Sequence, residues 1–154
     1  MKTLPTLFFA ALVLAACDGQ KKDSPIDAAF SPEDELIQTI NTECFQYLGE
    51  KDTVSLTTHM NGTSVTGTLD YQIFEKDKNT GKIEGEIRDG LMILEYTFMS
   101  EGSSSKRQVV FKNSGEGWKE GYGDMKEVDG ILVHVAIDSL DYENSHSLVP
   151  VPCE

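Results

Sequence analysis

The chain is short of positive charge, of histidine, of cysteine and of long apolar runs, and each shortage removes a class of function. Its 154 residues carry 13 Lys and Arg against 26 Asp and Glu, a formal net charge of −13. A phosphate-binding surface needs the opposite sign, so nucleic acid is not expected as a partner. The same acidity offers nothing to anionic headgroups, so attachment to a membrane has to come from something other than charge. No segment reaches the roughly 18 apolar residues that a transmembrane helix needs. The three histidines, His59, His134 and His146, are scattered without the spacing of a metal site. Alternation places His59 and His134 on the polar side of their strands, toward solvent. The oxygen-rich stretch Asp141, Glu143, Asn144 lacks the fixed acid and glycine spacing of a calcium loop and reads as a solvated acidic loop. No metal and no cofactor is expected. No glycine-rich loop opens a helix, no nucleophile elbow is present and no serine is flanked by activating residues, so no catalytic residue is assigned and the chain is read as a non-enzyme.

What is present begins at the N-terminus. Lys2 precedes the apolar run Leu7 to Ala16, the charged region and hydrophobic core of a secretory signal. Leu14, Ala15, Ala16 and Cys17 resemble the bacterial lipobox, which implies removal of residues 1–16 and lipidation of Cys17 with diacylglycerol and fatty acids such as palmitate. At about 0.8 kcal/mol per buried methylene, two or three acyl chains anchor a protein stably without a transmembrane helix. The expected localisation is the cell envelope, lipid-anchored to a bacterial membrane, with the outer membrane favoured and the leaflet open. Without Lys2 the remaining chain carries about −14.

Cys44 and Cys153 are then left over in a disulfide-permissive compartment, and they are expected to pair, with two free thiols as the alternative. Neither lies beside a histidine or basic cluster that would activate it.

Residues 17–30, polar and poor in apolar side chains, read as the lipidated cysteine and a flexible tether. Residues 31–154 read as a single β-domain that opens with a short helix. Ser31, Pro32, Glu33 and Asp34 carry a helix-start signature, and Leu36, Ile37 and Ile40 give a short helix to about Asn41 its apolar face.

After Cys44 the period changes to two. Val54, Leu56 and Met60 alternate, Asn61 and Gly62 read as a two-residue turn, and Val65, Leu69, Tyr71 and Ile73 alternate again. Asp89 and Gly90 turn the chain before Met92, Leu94, Tyr96 and Phe98, the expected centre of the sheet. Val109 to Phe111, Trp118 with Tyr122, and Ile131 to Ile137 supply further strands, and Ser147 to Cys153 is expected to add an edge strand. The sum is an antiparallel up-and-down meander of roughly eight strands forming a barrel or strongly curled sheet, with one short N-terminal helix. Gly67, Gly85, Gly121 and Gly123 fall inside strand patterns, as at bends or bulges. Glu95, in the most apolar strand, is expected either to pair with Arg107 inside the barrel or to form an exposed pair.

Cys44–Phe45–Gln46–Tyr47, the stretch Glu75 to Gly81, Tyr96 to Gly102 and the near-terminal Cys153 together resemble small lipoproteins of Bacteroidota over most of residues 44–154. The resemblance implies an exported lipoprotein, a compact β-domain and a first-to-last cysteine bridge, and it carries no catalytic residues. Asp52–Thr53–Val54 and Asp138–Ser139–Leu140 resemble the O-glycosylation acceptor pattern of the same bacteria, which makes Thr53 and Ser139 candidate modification sites against a reading as ordinary turn and strand residues.

The functional expectation is a noncatalytic, lipid-anchored envelope domain that binds a protein or polymer partner. Tyr47, Tyr71, Tyr96, Trp118 and Tyr122 are available as a contact surface or as core. The alternative is a lipocalin-like carrier of one small apolar ligand inside the barrel.

Overall fold

A computed structural model describes residues 39–100 and 102–154. The signal, Cys17, the tether and nearly all of the expected helix lie outside the described residues. Asn41, expected to end that helix, instead opens a strand. Among the described residues the one helical element is a single 3-10 turn at Ile137–Ser139.

Ten strands follow in chain order: β1 (Asn41–Leu48), β2 (Thr53–Asn61), β3 (Ser64–Gln72), β4 (Asn79–Arg88), β5 (Leu91–Ser100), β6 (Ser103–Asn113), β7 (Trp118–Glu120), β8 (Met125–Val128), β9 (Ile131–His134) and β10 (Ser147–Val151). Neighbours from β1 to β7 pair antiparallel in sequence order, and β10 pairs with both β7 and β1. Eight strands therefore close into an up-and-down barrel. Serine to cysteine at the C-terminus was expected to form an edge, but β10 is the strand that removes the edge. Its partner on one side is β1, the first strand of the domain, a long-range pairing that local patterning does not reveal.

The two-residue turns set the register. At Asp89–Gly90 both residues have positive φ, 53° and 78°, and Asp129–Gly130 repeats this with 51° and 80°. Such turns match the twist of the flanking strands, and Asp and Gly tolerate the left-handed region best. The hairpin between β2 and β3 pairs Asn61 with Ser64, so its central residues are Gly62 and Thr63 rather than Asn61 and Gly62. Only Gly62 turns left-handed, with φ 61°, which fits a turn that asks for glycine at its first central position.

Alternation then fills the barrel. Phe45, Val54, Leu56, Leu69, Ile83, Met92, Leu94, Tyr96, Val109, Phe111, Trp118 and Leu148 belong to one buried cluster. Each such side chain contributes on the order of 1.5–3 kcal/mol when withdrawn from water. The tight curl around this core leaves no room on parts of β3 and β4. A Cβ at Gly67 would collide with the Thr57 carbonyl, and one at Gly85 with the Ile93 carbonyl.

The segment between β7 and β10 leaves the ring and returns. Tyr122 and Asp141 exchange backbone hydrogen bonds of 2.9 Å at its neck. Beyond the neck, β8 and β9 form a hairpin that touches β6 by a parallel pairing of Leu132 with Arg107. The His134 amide donates to the Gln108 side chain at 3.1 Å. Val110, which alternation turns outward from the core, is fully buried on this side. Gly121 and Gly123 pack against Leu140 and Tyr142 of the returning chain, so here the small residues permit a close approach.

Cys44 on β1 and Cys153 just beyond β10 are joined by a disulfide with Cα atoms 5.3 Å apart, spanning 109 residues of sequence. The bridge lies across the seam where the first barrel strand meets the last. Chain entropy assigns a loop of this length roughly 4–5 kcal/mol. The double variant Cys44→Ala with Cys153→Ala is therefore expected to lose about that much in urea unfolding, and a loss near zero would show that the strands hold the seam unaided.

Candidate functional site

The barrel has two unlike ends. At one, the short turns Gly62–Thr63 and Asp89–Gly90, the start of β1 and the end of β10 come together over a packed core. At the other lie the β1–β2 turn, the loop 73–78 and the neck of the excursion. At this second end a pocket of about 360 Å³ is lined by Tyr71, Ile73, Lys76, Asn79, Arg107, Glu120, Tyr122 and His146.

Strand alternation delivers these side chains. Arg107 is in step with Val109 and Phe111 on the inner face of β6, opposite Tyr96 of β5. Glu120 is in step with Trp118 on β7 and directly opposite Phe111. Tyr71 follows Leu69 at the end of β3, and Asn79 opens β4. The neck pairing fixes Tyr122, and His146 lies immediately before β10 with its ring against Tyr47, centroids 4.2 Å apart.

Arg107 and Glu120 form the charged centre, with Nη2 and Oε1 3.8 Å apart. The Arg107 guanidinium lies over three aromatic rings, 5.1 Å from Tyr71, 5.6 Å from Tyr96 and 5.8 Å from Phe98, within cation–π range. Tyr96 in turn stacks on Phe98 at 4.7 Å and meets the edge of Tyr71 at 5.8 Å. Glu120 is 4% exposed, and the Tyr122 hydroxyl donates to its Oε2 at 3.1 Å. Burial pushes the Glu120 carboxyl above its ordinary range, against the pull of Arg107 and of the tyrosine hydroxyls beside it. Burial likewise holds the Tyr71, Tyr96 and Tyr122 hydroxyls well above their ordinary range, keeping them neutral donors.

Polar satisfaction at this centre is incomplete. The Tyr71 hydroxyl faces Glu120 and Arg107 without completing a hydrogen bond to either, and Arg107 Nε, Asn79 Oδ1 and the Tyr96 hydroxyl are also buried without a protein partner. Three of these four groups belong to residues that line the pocket. A buried polar atom left unpaired costs about 1–3 kcal/mol, and natural folds carry few of them.

Several residues singled out in the sequence lie elsewhere. Glu95 is not in the interior: with Leu94 and Tyr96 inside, it points outward and pairs with Lys106 at 2.6 Å. The acid that meets Arg107 is Glu120, for which the alternation Trp118, Glu120, Tyr122 was the available signal. Tyr71, Tyr96 and Trp118 are buried and form no outer contact surface, while Tyr47 and Tyr122 stand at the open end. His59 is exposed as expected and accepts or donates a 2.9 Å hydrogen bond with Thr42. His134 departs from expectation: its Nδ1 is buried without a partner near Gly123, and burial, helped by Arg107, lowers its pKa. Asp141 accepts from the Glu143 amide and the Asn144 side chain, which shapes the acidic loop internally. Thr53 opens β2 half-buried, and Ser139 is exposed in the 3-10 turn. Among the described residues no three His, Cys, Asp or Glu side chains converge on a point where a metal could sit.

No family model, no curated protein and no solved structure matches this chain.

A carboxyl whose pKa rises on folding binds its proton more tightly in the folded state, so its contribution to stability falls as pH climbs from the ordinary 4.5 through the raised value. Glu120→Gln removes that titration. The stability of the variant relative to the parent is expected to increase steadily from pH 4.5 toward neutrality in parallel urea titrations. A relative stability that falls over this range would mean that the Arg107 pair outweighs burial.

Proposed function

We propose that the chain is a noncatalytic binding domain, held at a bacterial envelope by lipid on Cys17, whose recognition site is the pocket at the open end of the barrel. One observation carries this reading: the open end holds a pocket of about 360 Å³ whose lining sets the Arg107–Glu120 ion pair, with the Arg107 side chain still partly exposed, among the rings of Tyr71 and Tyr122. A largely buried ion pair adds little to stability, so its place here fits a role outside folding. The volume, about 360 Å³, lies at the small end of ligand sites. It suits a small polar molecule, or the terminal group of a polymer, better than a broad protein face. A carrier of an apolar ligand finds support in the closed barrel itself. The interior, however, is occupied by Tyr96, Phe111, Leu69, Met92 and Leu56, all essentially without exposure.

Two variants test the two halves of the proposal. Tyr71→Phe deletes an unpaired hydroxyl and is expected to stabilise the unliganded protein by about 1 kcal/mol or more. A destabilisation of that size would show that the hydroxyl serves the fold and would count against a recognition role for the open end. Cys17→Ser is expected to abolish incorporation of labelled palmitate in cells and to move the protein from the membrane to the soluble fraction. Retention in the membrane fraction without label would overturn the anchor.

A further inference from the structure

The β8–β9 hairpin stands outside the closed ring, and a histidine lies at its seat on β6. We propose that His134 makes this hairpin an acid-sensitive flap: protonation of the imidazole lifts β8 and β9 off β6 and uncovers the outer face of that strand, while the barrel stays closed.

The hairpin is lightly held. Along β6 it has the parallel backbone pairing of Leu132 with Arg107 and a hydrogen bond from the His134 amide to the Gln108 side chain at 3.1 Å. Apolar burial adds little, because Val128, Leu132 and Val135 are 43%, 44% and 55% exposed. A two-stranded hairpin is marginal in water by itself, so its order depends on that seat. The ring has no such dependence. β6 is paired with β5 along its length and with β7 at its end, and the neck at Tyr122 and Asp141 ties the excursion to the barrel whether the hairpin is seated or not.

The imidazole is placed to fit in one protonation state only. His134 ends β9 half-buried, with Nδ1 beside Gly123, where an added Cβ would stand 4.0 Å from that nitrogen and 2.8 Å from the Leu140 side chain. Nδ1 is buried with no protein partner, whereas Nε2 is not shut off in this way. The neutral ring with its proton on Nε2 is therefore accommodated, since the buried nitrogen then carries no hydrogen to place. The imidazolium carries N–H on both nitrogens, and the buried one points at no acceptor.

The surrounding charges act in the same direction. From β6 the guanidinium of Arg107 acts on the ring, and Gln108 beside it is neutral. From β8, Met125 stands directly opposite His134, and its neighbours Asp124 and Lys126 alternate to the other face. From the returning chain comes the apolar Leu140, and the next residue, Asp141, is taken up by the Glu143 amide and the Asn144 side chain. Burial and Arg107 together hold the His134 pKa below its ordinary 6.5. A ring that binds its proton more weakly when seated loses seating free energy as pH falls below 6.5. Lifting the hairpin uncovers Val110, which faces away from the core yet is fully buried, next to the half-buried Ile93 opposite it on β5. Acid thereby gives the barrel an apolar outer strip that it hides at neutral pH.

Hydrogen exchange at single amides, read by NMR in the full mature chain carrying Cys17→Ser, tests the inference. From about pH 7.5 to about pH 5 the protection factor of the His134 amide is expected to fall at least about fivefold, the low end of what an unpaired buried donor costs. Amides of β2 and β3 are expected to keep theirs, and the His134 ring resonances to titrate below 6.5. His134→Gln is expected to abolish the acid response. Glu120→Gln, which removes the buried carboxyl of the pocket, is expected to retain it. A ring that titrates while its amide protection stays constant overturns the flap. So does an acid response that survives in His134→Gln or vanishes in Glu120→Gln. Should His134→Gln leave the hairpin unseated at both pH values, the ring titration and the Glu120→Gln comparison decide alone.

Discussion

A barrel closes only if its first and last strands meet, and in this chain that meeting depends on five residues. Ser147 to Val151 lie between β1 and β7, and without them the sheet would end in two open edges. Open edges of this length invite pairing with other chains. The Cys44–Cys153 disulfide sits at this seam, where a cross-link spanning most of the domain suppresses the unfolded ensemble most. Closure in turn dictates curvature, and curvature explains why Gly67 and Gly85 stand where neighbouring carbonyls come too close for a side chain.

Once the ring is closed, each strand has one inner row, and the contents of the barrel follow from arithmetic on alternate residues. The row on β6 runs from Phe111 and Val109 to Arg107, and the row on β7 runs from Trp118 to Glu120. Both change from apolar to charged toward the same end. The rows of β3 and β5 change from aliphatic to aromatic in the same direction, through Tyr71 and through Tyr96 with Phe98. An ion pair buried in this way adds little to stability and is costly if either partner is left alone. The aromatic rings around Arg107 reduce that cost, because a weakly hydrated guanidinium is well received by a π face. The barrel thus divides along one axis, with the packed core where the rows are apolar and the ion pair and pocket where they are not.

Much of the barrel was legible in the sequence because closure and alternation are expressed locally. Met92, Leu94, Tyr96 and Phe98 announce an inner row, and Asp89–Gly90 announces the turn before it. The parts that were not legible depend on distant partners. Nothing within Ser147 to Cys153 says that both of its edges are occupied, and the shift of the first hairpin from Asn61–Gly62 to Gly62–Thr63 is decided by the pairing of whole strands, not by the dipeptide. Asn41 joins β1 because Met60 stands opposite it, a contact 19 residues away that outweighs the helical pattern just upstream. The pocket was only half visible. Arg107 was read as a partner for Glu95, and only the rows of the closed ring turn Glu95 outward to Lys106 and bring Glu120 to Arg107 instead.

The direction of β1 has a consequence for how the domain is presented. β1 runs from Asn41 at the tightly turned end to Tyr47 and Leu48 at the open end, so the chain joins the barrel at the pole opposite the pocket. The pocket therefore opens away from the pole at which β1 begins. β1 enters within three residues of the disulfide at Cys44, so the covalent seam reinforces the pole of entry and lies away from the rim where Arg107 and Glu120 meet.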